Sequence, residues 1–461
     1  MILETHPYDT ATIWQKLHFN SQCNLIVDEQ NLLFIGAILS IALGGLSLRL
    51  VRQNSKLPWN EAIAAHILCL MFITKGIQNA AFGYVNSDND GDVWQFWFQL
   101  AFAMDYIFES SIMAIALLYP VPILRNIKQV KTGLGLVAFL ALFRLTLDAM
   151  GFNLTPVALP GFFYFATAVI WGSVYIKFRL IPKEKQNQST QNISLLSGLF
   201  TTLVLGHIWM WWPGFILQSE YFYFLDPFGQ TLTTTTWDYI WVAGYAIGIA
   251  AGLTIITVEI YQAIRGNMNV LLYVVSPYFV LGIIGFLVYS QGSDAGFSVK
   301  ANTGENVQLW STFTTGLHFT IVRPLIAMYI LLKFNLLDIN EKTKPMAKTM
   351  VIVLIVVATS AILELVQSII PINQMISAAL LGILIALGLG WEEKSFQTLV
   401  SNPAHLRKNI DSKWFPKLDI SRRHISRIEI VCLLYCLISL LVSFFVWELD
   451  IILGLIAERG G

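Results

Sequence analysis

The sequence has few charged residues and few cysteines for its length. Only 13% of the 461 residues are Asp, Glu, Lys or Arg, and the formal net charge is zero. Soluble domains carry about 25% charged residues, and nucleic-acid-binding proteins carry a basic excess. We therefore predict no nucleic-acid partner. The four cysteines are too few and too scattered to form a disulfide framework or a metal site.

Motifs that carry common enzyme chemistry are also missing. The sequence contains no phosphate-binding loop, no HExxH zinc motif and no nucleophile elbow. The longest predicted loop, 392–427, is too short to form a catalytic domain. We therefore predict that the protein is not an enzyme and binds no metal.

Apolar residues make up 56% of the chain, and the mean hydropathy is +0.63. A helix crosses a bilayer with about 20 apolar residues. Twelve segments meet this length: 31–51, 61–84, 94–120, 133–151, 157–177, 195–217, 237–263, 270–290, 309–334, 347–369, 371–391 and 425–448. The sequence predicts an all-α polytopic protein of the cell membrane with the lipid bilayer as its partner. The polar residues 1–30 predict no cleavable signal peptide.

Basic residues alternate between the loops and predict the orientation of the chain. One set of loops holds 23 of the 29 Lys and Arg residues, whereas the opposite set holds only Lys16, Lys300 and Arg459. The positive-inside rule places the first set in the cytoplasm, and twelve spans then leave both termini outside.

Five regions follow from these spans and loops. They are an extracytoplasmic segment (1–30), a seven-helix bundle (31–263), a four-helix unit (264–391), a basic interfacial loop (392–427) and a last helix with a short outer tail (428–461). We predict that the basic loop lies on anionic lipid at the cytoplasmic face. Other membrane or cytoplasmic subunits are further expected partners.

Charged residues inside the spans are the most informative feature of the sequence. Each costs at least about 2.5–3.5 kcal/mol near the bilayer centre unless it is paired or hydrated. Six of them are predicted to surround a polar cavity: Lys75, Asp105, Glu109, Arg144, Asp148 and Arg323. Depth counting makes three pairs possible: Lys75 with Asp148, Arg144 with Asp105 and Glu109 with Arg323. If Glu109 is instead unpaired, it is a candidate proton carrier. The alternative is that closed ion pairs only fix the helix register.

Weaker candidates lie elsewhere in the spans. His207 and His318 are predicted at equal depth, where they could face each other as hydrogen-bonded residues or as haem ligands. Glu364 and Gln367 lie near the outer edge of their span. Gly244, Gly248 and Gly252 form a small-residue face that predicts close helix packing.

One segment carries a local resemblance. The stretch "RPLIAMYILLKFNLLDIN" (323–340) resembles the last helix of the multi-pass membrane sensor regions that precede prokaryotic histidine kinases. The resemblance implies a sensor-like membrane scaffold, although no kinase module follows in the sequence.

The sequence thus favours a sensor or receptor-like membrane subunit that signals through partners. A proton- or ion-coupled secondary transporter that uses the charges of helices 2–4 is the first alternative. A structural or haem-carrying subunit of a membrane complex is the second.

Overall fold

The computed structural model describes residues 29–54, 56–87, 91–149, 158–217, 236–291, 313–314, 316–337, 339–369, 382, 404–408, 410–418 and 422–459. Within these ranges the secondary structure is helical, with no strand. The side chains of Asp148, Glu364 and Gln367 lie outside the described residues, as does the predicted span 371–391 apart from residue 382.

The helices follow the predicted apolar segments closely. They are α1 (Glu29–Gln53), α2 (Trp59–Ser87), α3 (Gly91–Leu118), α4 (Ile127–Ala149), α5 (Ala158–Arg179), α6 (Gln188–Trp209), α7 (Trp212–Leu217), α8 (Thr236–Ile264), α9 (Val270–Gln291), a π-helix (Gly316–Val322), α10 (Arg323–Lys333), α11 (Lys344–Ile369) and α12 (Arg422–Arg459).

Nine helical segments in the described ranges are long and apolar enough to cross a membrane. They are Leu33–Gln53, Trp59–Val85, Phe96–Leu118, Ile127–Leu147, Gln188–Trp209, Ala243–Ile264, Val270–Leu287, Gly316–Lys333 and Arg427–Phe445. These segments identify an integral membrane protein. The total of twelve spans and the outer location of both termini stay predictions.

Polar residues at the loop ends start two of these helices. Asn187 accepts a hydrogen bond from the Thr190 N–H at 2.9 Å, and the Thr190 hydroxyl accepts one from the Asn187 N–H at 3.0 Å. This reciprocal pair satisfies two N–H groups at the start of α6. Asn126 caps α4 through the N–H of Gln129 at 2.9 Å.

Small residues let α1 and α2 lie in close contact. A Cβ atom added to Gly44 would lie 2.8 Å from the Cys69 carbonyl oxygen, and one added to Gly76 would lie 2.9 Å from the Ala37 carbonyl oxygen. Because no larger side chain fits at either position, this pair of glycines fixes where the two helices cross.

Large apolar side chains cover the outer surface of several helices. On α12 the exposed residues include Val431, Leu433 and Leu441, and on α9 they include Tyr273 and Val280. Such continuous apolar surface is incompatible with water and fits contact with lipid chains.

The helices before and after residue 264 pack on one another. The π-helix contacts α1 and α6, α11 contacts α1, and α9 contacts α6. The charged residues of α2 and α3 therefore lie beside the π-helix and α10, in the interior of the bundle.

Candidate functional site

Six helical segments contribute charged or polar side chains to one region inside the bundle. We call this region the central cluster; it consists of Lys75 and Gln78 on α2, Asp105 and Glu109 on α3, Arg144 on α4, His207 on α6, His318 on the π-helix and Arg323 on α10. It brings together five of the six residues predicted to line a polar cavity. For the sixth, Asp148, the side chain lies outside the described residues.

A glutamine connects the lysine and the aspartate of the central cluster. The Lys75 Nζ donates to Gln78 Oε1 at 2.5 Å, and Gln78 Nε2 donates to Asp105 Oδ1 at 2.7 Å. Lys75 and Gln78 are three residues apart and share a face of α2. Asp105 thus accepts its described hydrogen bond from Gln78 and not from Arg144, the partner that depth counting gave it.

Arg323 is held by one of its three nitrogens. Its Nε donates to the Leu203 carbonyl oxygen at 3.0 Å. Both terminal nitrogens are buried and have no hydrogen-bond partner, and the residue is only 2% exposed. The expected Glu109–Arg323 ion pair is therefore not formed. The depth estimate placed the two residues at one level, but the Arg323 side chain points toward α6.

Two phenylalanine rings lie beside both cations of this region. The Arg323 guanidinium lies 4.2 Å from the Phe319 ring centre and 5.1 Å from that of Phe108. The Lys75 ammonium lies 5.7 Å and 5.2 Å from the same two rings. These cation–π contacts hold both positive charges near one another and near aromatic faces.

Glu109 is buried, with 4% of its surface exposed. Within the described residues its carboxyl forms no hydrogen bond or ion pair. The groups that interact with it electrostatically come from every neighbouring helix: Asp105 on its own helix, Lys75 on α2, Arg144 on α4, Tyr164 on α5 and Tyr435 on α12. Glu109 is thus a buried acid surrounded by titratable groups, and no group in the described part of the chain forms a hydrogen bond or an ion pair with it.

His318 is fully buried on the π-helix. Its Nε2 lies 3.2 Å from the Leu203 carbonyl oxygen, and its Nδ1 lies 2.8 Å from the Tyr278 hydroxyl. A carbonyl only accepts, so Nε2 carries the proton, and the neutral ring accepts at Nδ1 from Tyr278. His207 lies beside it, with ring centres 5.3 Å apart.

The histidine pair does not fit a haem in this arrangement. An axial ligand needs a free ring nitrogen directed at the iron, whereas both nitrogens of His318 are engaged in hydrogen bonds. His318 thus fits the first interpretation, a hydrogen-bonded histidine of a polar interior, whereas the buried Nδ1 of His207 has no hydrogen-bond partner among the described residues.

The π-helix lies directly before Arg323 and Pro324. Proline has no N–H to donate to the preceding turn, which destabilises regular α-helix there. The chain widens to π geometry over Gly316–Val322, and α10 then begins with Pro324 in its first turn. Single π-turns inside helices occur frequently at functional sites. This one carries His318 and Phe319 and ends at Arg323.

The glycine face of α8 packs inside the same molecule. A Cβ on Gly244 would lie 2.2 Å from the Phe165 ring, and one on Gly252 would lie 2.5 Å from the Trp209 ring. The Trp209 indole also donates to the Gly248 carbonyl oxygen at 3.0 Å. Trp209 is therefore a core residue, with none of its surface exposed.

A buried ion pair outside the central cluster was not anticipated from the sequence. Arg179 on α5 donates to Glu259 on α8 through Nε at 2.8 Å and through a terminal nitrogen at 2.7 Å. Tyr175 donates to the same carboxylate at 2.8 Å, and Arg179 donates to the Asn267 carbonyl at 2.8 Å. Both charges lie near helix ends. The predicted span 157–177 ends before Arg179, and Glu259 lies close to the end of the predicted span 237–263, so neither was considered as a buried charge. Their position at the same end of the bundle is the one signal in the sequence that could have suggested the pair.

Part of the predicted interfacial loop docks onto this basic end of the bundle, the end that holds Arg52, Glu61, Arg179 and Lys333. We call residues 404–418, of which 409 is not described, the end segment. Its Arg407 donates to Glu61 Oε1 at 3.0 Å and also to Asn60, and the Pro416 carbonyl accepts from the Trp59 indole at 3.1 Å.

The end segment also reaches three other helices. The Ala404 N–H donates to the Lys333 carbonyl at 2.7 Å, the His405 carbonyl accepts from Asn192 at 3.1 Å, and the Lys177 ammonium lies 4.2 Å from the Trp414 ring centre. Leu406 and Phe415 are buried in the core. The described part of the loop thus packs on protein; the predicted contact of the loop with anionic lipid stays a prediction.

Searches against protein-family models, curated proteins and solved structures give no match for this chain.

Proposed function

We propose that this integral membrane protein is a proton-coupled secondary transporter and that Glu109 is the carboxyl that carries the proton. The observation that carries the proposal is the state of Glu109: it is buried inside a lipid-embedded bundle, and within the described residues it has no hydrogen bond or ion pair. Intramembrane acids that face a bundle interior mark proton and ion pathways.

The surroundings of Glu109 suit reversible protonation. Its charged form is favoured by Lys75 and Arg144 and opposed by Asp105 and by burial. The balance between these opposing influences changes whenever a neighbouring helix moves or a charged solute arrives. A proton taken up from one side of the membrane can then be released to the other.

The proposal is tested by proton movement in vesicles. The purified protein is reconstituted into liposomes loaded with a pH-sensitive dye, and outward gradients of small anions, cations and neutral solutes are imposed in turn. We expect at least one solute to change the internal pH with wild-type protein and Glu109→Gln to reduce that rate at least tenfold.

Glu429→Gln is the matched control. Glu429 binds Arg52 at 3.0 Å and His66 at 2.9 Å near the basic end, so the same chemical change is made far from the central cluster. Folding of each variant is checked by its thermal unfolding in detergent. An equal rate for Glu109→Gln and wild type contradicts the proposal, and so does solute movement without any pH change.

A second candidate is the sensor or receptor-like subunit that the sequence favoured. The observation that favours it is the path from the central cluster to the end segment: α10 begins at Arg323, ends at Lys333, and accepts a hydrogen bond there from Ala404. A ligand that moves Arg323 would displace the end segment, where a partner protein can read the change.

Trypsin distinguishes the two candidates. Lys408, Lys413 and Lys417 are exposed in the end segment. For a sensor, the solute that acts on wild-type protein changes the cleavage rate at these lysines severalfold, and Arg323→Gln removes the change. An unchanged cleavage pattern argues against signalling through this segment.

A further inference from the structure

We infer that the terminal guanidinium nitrogens of Arg323 form the binding site of a small monovalent carboxylate inside the bundle. This inference rests on the proposed transport function and names its substrate class.

The two terminal nitrogens of Arg323 are donors without an acceptor. Arg323 is only 2% exposed, and within the described residues neither terminal nitrogen has a hydrogen-bond partner. Buried polar groups are almost always paired, and an unpaired charged donor costs more than the roughly 1–3 kcal/mol of a neutral one. An anion bound here would remove this cost.

The geometry leaves the correct edge of the guanidinium free. Its Nε is occupied by the Leu203 carbonyl at 3.0 Å, so the remaining edge is the one formed by the two terminal nitrogens. Two parallel N–H groups at such an edge match the two oxygens of a carboxylate. The Phe319 ring at 4.2 Å restrains the guanidinium without using its in-plane donors.

A second cation is available close by. The Lys75 ammonium lies near the same two phenylalanine rings and interacts electrostatically with Arg323. One of its donors is used by Gln78, and the others have no described acceptor. The two cations repel each other, and an anion between them converts this repulsion into attraction.

Asp105 interacts electrostatically with both cations, but the hydrogen bond described for it comes from Gln78 at 2.7 Å. No described acidic side chain forms a hydrogen bond with the terminal nitrogens of Arg323. Arg323 offers one two-nitrogen edge, which accommodates one carboxylate group. A second negative charge on the same molecule would add a further cost in a lipid-embedded interior.

Binding of the carboxylate and protonation of Glu109 support each other in this arrangement. A proton on Glu109 removes a negative charge near the incoming anion, and the anion replaces the negative charge that the proton removes. Reciprocal coupling of this kind is the basis of symport. It links the Arg323 site to the proton step proposed above.

Binding is measured on the purified full-length protein in detergent. Acetate, propionate and lactate are titrated by isothermal calorimetry, and thermal unfolding is followed by tryptophan fluorescence. Chloride and phosphate are titrated alongside. We expect at least one of the three carboxylates to bind and to raise the unfolding temperature, with at least tenfold weaker binding of chloride and phosphate.

Two variants test the assignment to Arg323. Arg323→Lys keeps the charge but removes the two-donor edge and is expected to weaken carboxylate binding at least tenfold. Arg52→Lys makes the same change where the guanidinium already binds the Glu429 carboxylate and is expected to leave binding unchanged. If Arg323→Lys does not fold, Lys75→Gln is measured instead, with an expected loss of at least fivefold.

The outcomes separate this inference from the proposed transport. Absence of carboxylate binding, tighter binding of chloride or phosphate, or equal binding by Arg323→Lys and wild type overturns the inference. If one of these outcomes is found but the vesicles show proton-coupled movement of a cation or a neutral solute, the inference fails and the transport function stands. Carboxylate binding at Arg323 without any proton movement in vesicles leaves the inference standing and contradicts transport.

Discussion

Two buried arginines of this protein have opposite surroundings. Arg179 forms two hydrogen bonds with Glu259 and another with the Asn267 carbonyl. Arg323 forms one hydrogen bond, with a carbonyl, and its terminal nitrogens have no partner. In the first arrangement protein groups accept the hydrogen bonds of the guanidinium, so it offers no site to a ligand. The second is incomplete, and this difference separates a structural ion pair from a candidate binding site.

Removing one side chain from each region tests whether the two arginines differ in this way. Glu259→Gln leaves Arg179 as a buried charge without its counter-ion and is expected to lower the free energy of unfolding by about 3–5 kcal/mol. Arg323→Gln removes a charge that has no counter-ion and is expected to leave the free energy of unfolding unchanged or to raise it, because two unpaired buried donors are lost. Thermal unfolding in detergent, without added anions, measures both.

A double variant checks the cause of the larger effect. In Arg179→Met/Glu259→Met both charges are replaced by apolar groups, and most of the lost stability is expected to return because no uncompensated charge remains. Equal losses for Glu259→Gln and Arg323→Gln would mean that the two arginines are held in the same way.

The second prediction concerns the packing that holds α8, and with it Glu259, in place. Gly252→Ala puts a methyl group 2.5 Å from the Trp209 ring and is expected to cost about 1–3 kcal/mol by overpacking. Gly45→Ala is the matched control, because no atom lies within 4 Å of the added Cβ. It is expected to be neutral or slightly stabilising. A neutral Gly252→Ala would mean that α8 is free to shift.

The third prediction adds an ion pair of intermediate burial. The Arg407 and Glu61 side chains are 29% and 10% exposed. Arg407→Gln is expected to speed trypsin cleavage at Lys408 and Lys413 severalfold, because it releases the end segment from α2. Arg52→Gln, which breaks the contact with Glu429 instead, is expected to leave the cleavage rate unchanged. Equal rates for both variants would show that other contacts hold the segment.

The smallest effect is expected for an exposed pair. The Lys413 side chain, which lies 2.9 Å from the Asp411 carboxylate, and the Lys413 N–H lower the pKa of that carboxyl. A carboxyl whose pKa is lower in the folded state than in the unfolded state stabilises the folded state at pH values above the unfolded pKa of about 3.9. This stabilisation is lost as the pH falls through the folded pKa. Asp411→Asn should remove only this small acid-side dependence.

Unfolding temperatures of wild type and Asp411→Asn, measured between pH 7 and pH 3, check this prediction. The two curves are expected to converge as the pH falls, and the difference at pH 7 is expected to be the smallest in the series, since water screens both groups. A difference that grows with acidification would contradict the sign.

Hydropathy predicted the helices because burial in lipid requires long apolar runs, whatever the neighbours are. It placed helices over 61–84 and 94–120, and the structure has α2 and α3 there. It could not predict partners. Depth along a helix gives one coordinate, whereas contact also depends on rotation about the axis. Asp105 and Arg144 were assigned to one depth, but Asp105 accepts from Gln78.

Contacts with backbone atoms were equally inaccessible to sequence reasoning. Every residue has a carbonyl, so nothing in the sequence marks Leu203 as the acceptor for Arg323. Residues near helix ends were misjudged for a related reason. Arg179 follows an apolar segment and reads as a loop residue, but α5 extends to it and turns it into the core.

The donors around the Leu203 carbonyl affect amide hydrogen exchange inside the bundle. Its oxygen has two lone pairs, yet it is approached by His318, by Arg323 and by the helical N–H of His207 within α6. The amide of His207 therefore competes for its acceptor, and its hydrogen should exchange with deuterium faster than those of the preceding turn. Binding of an anion at the Arg323 guanidinium would change that exchange rate, so the His207 amide reports on ligand binding inside the bundle.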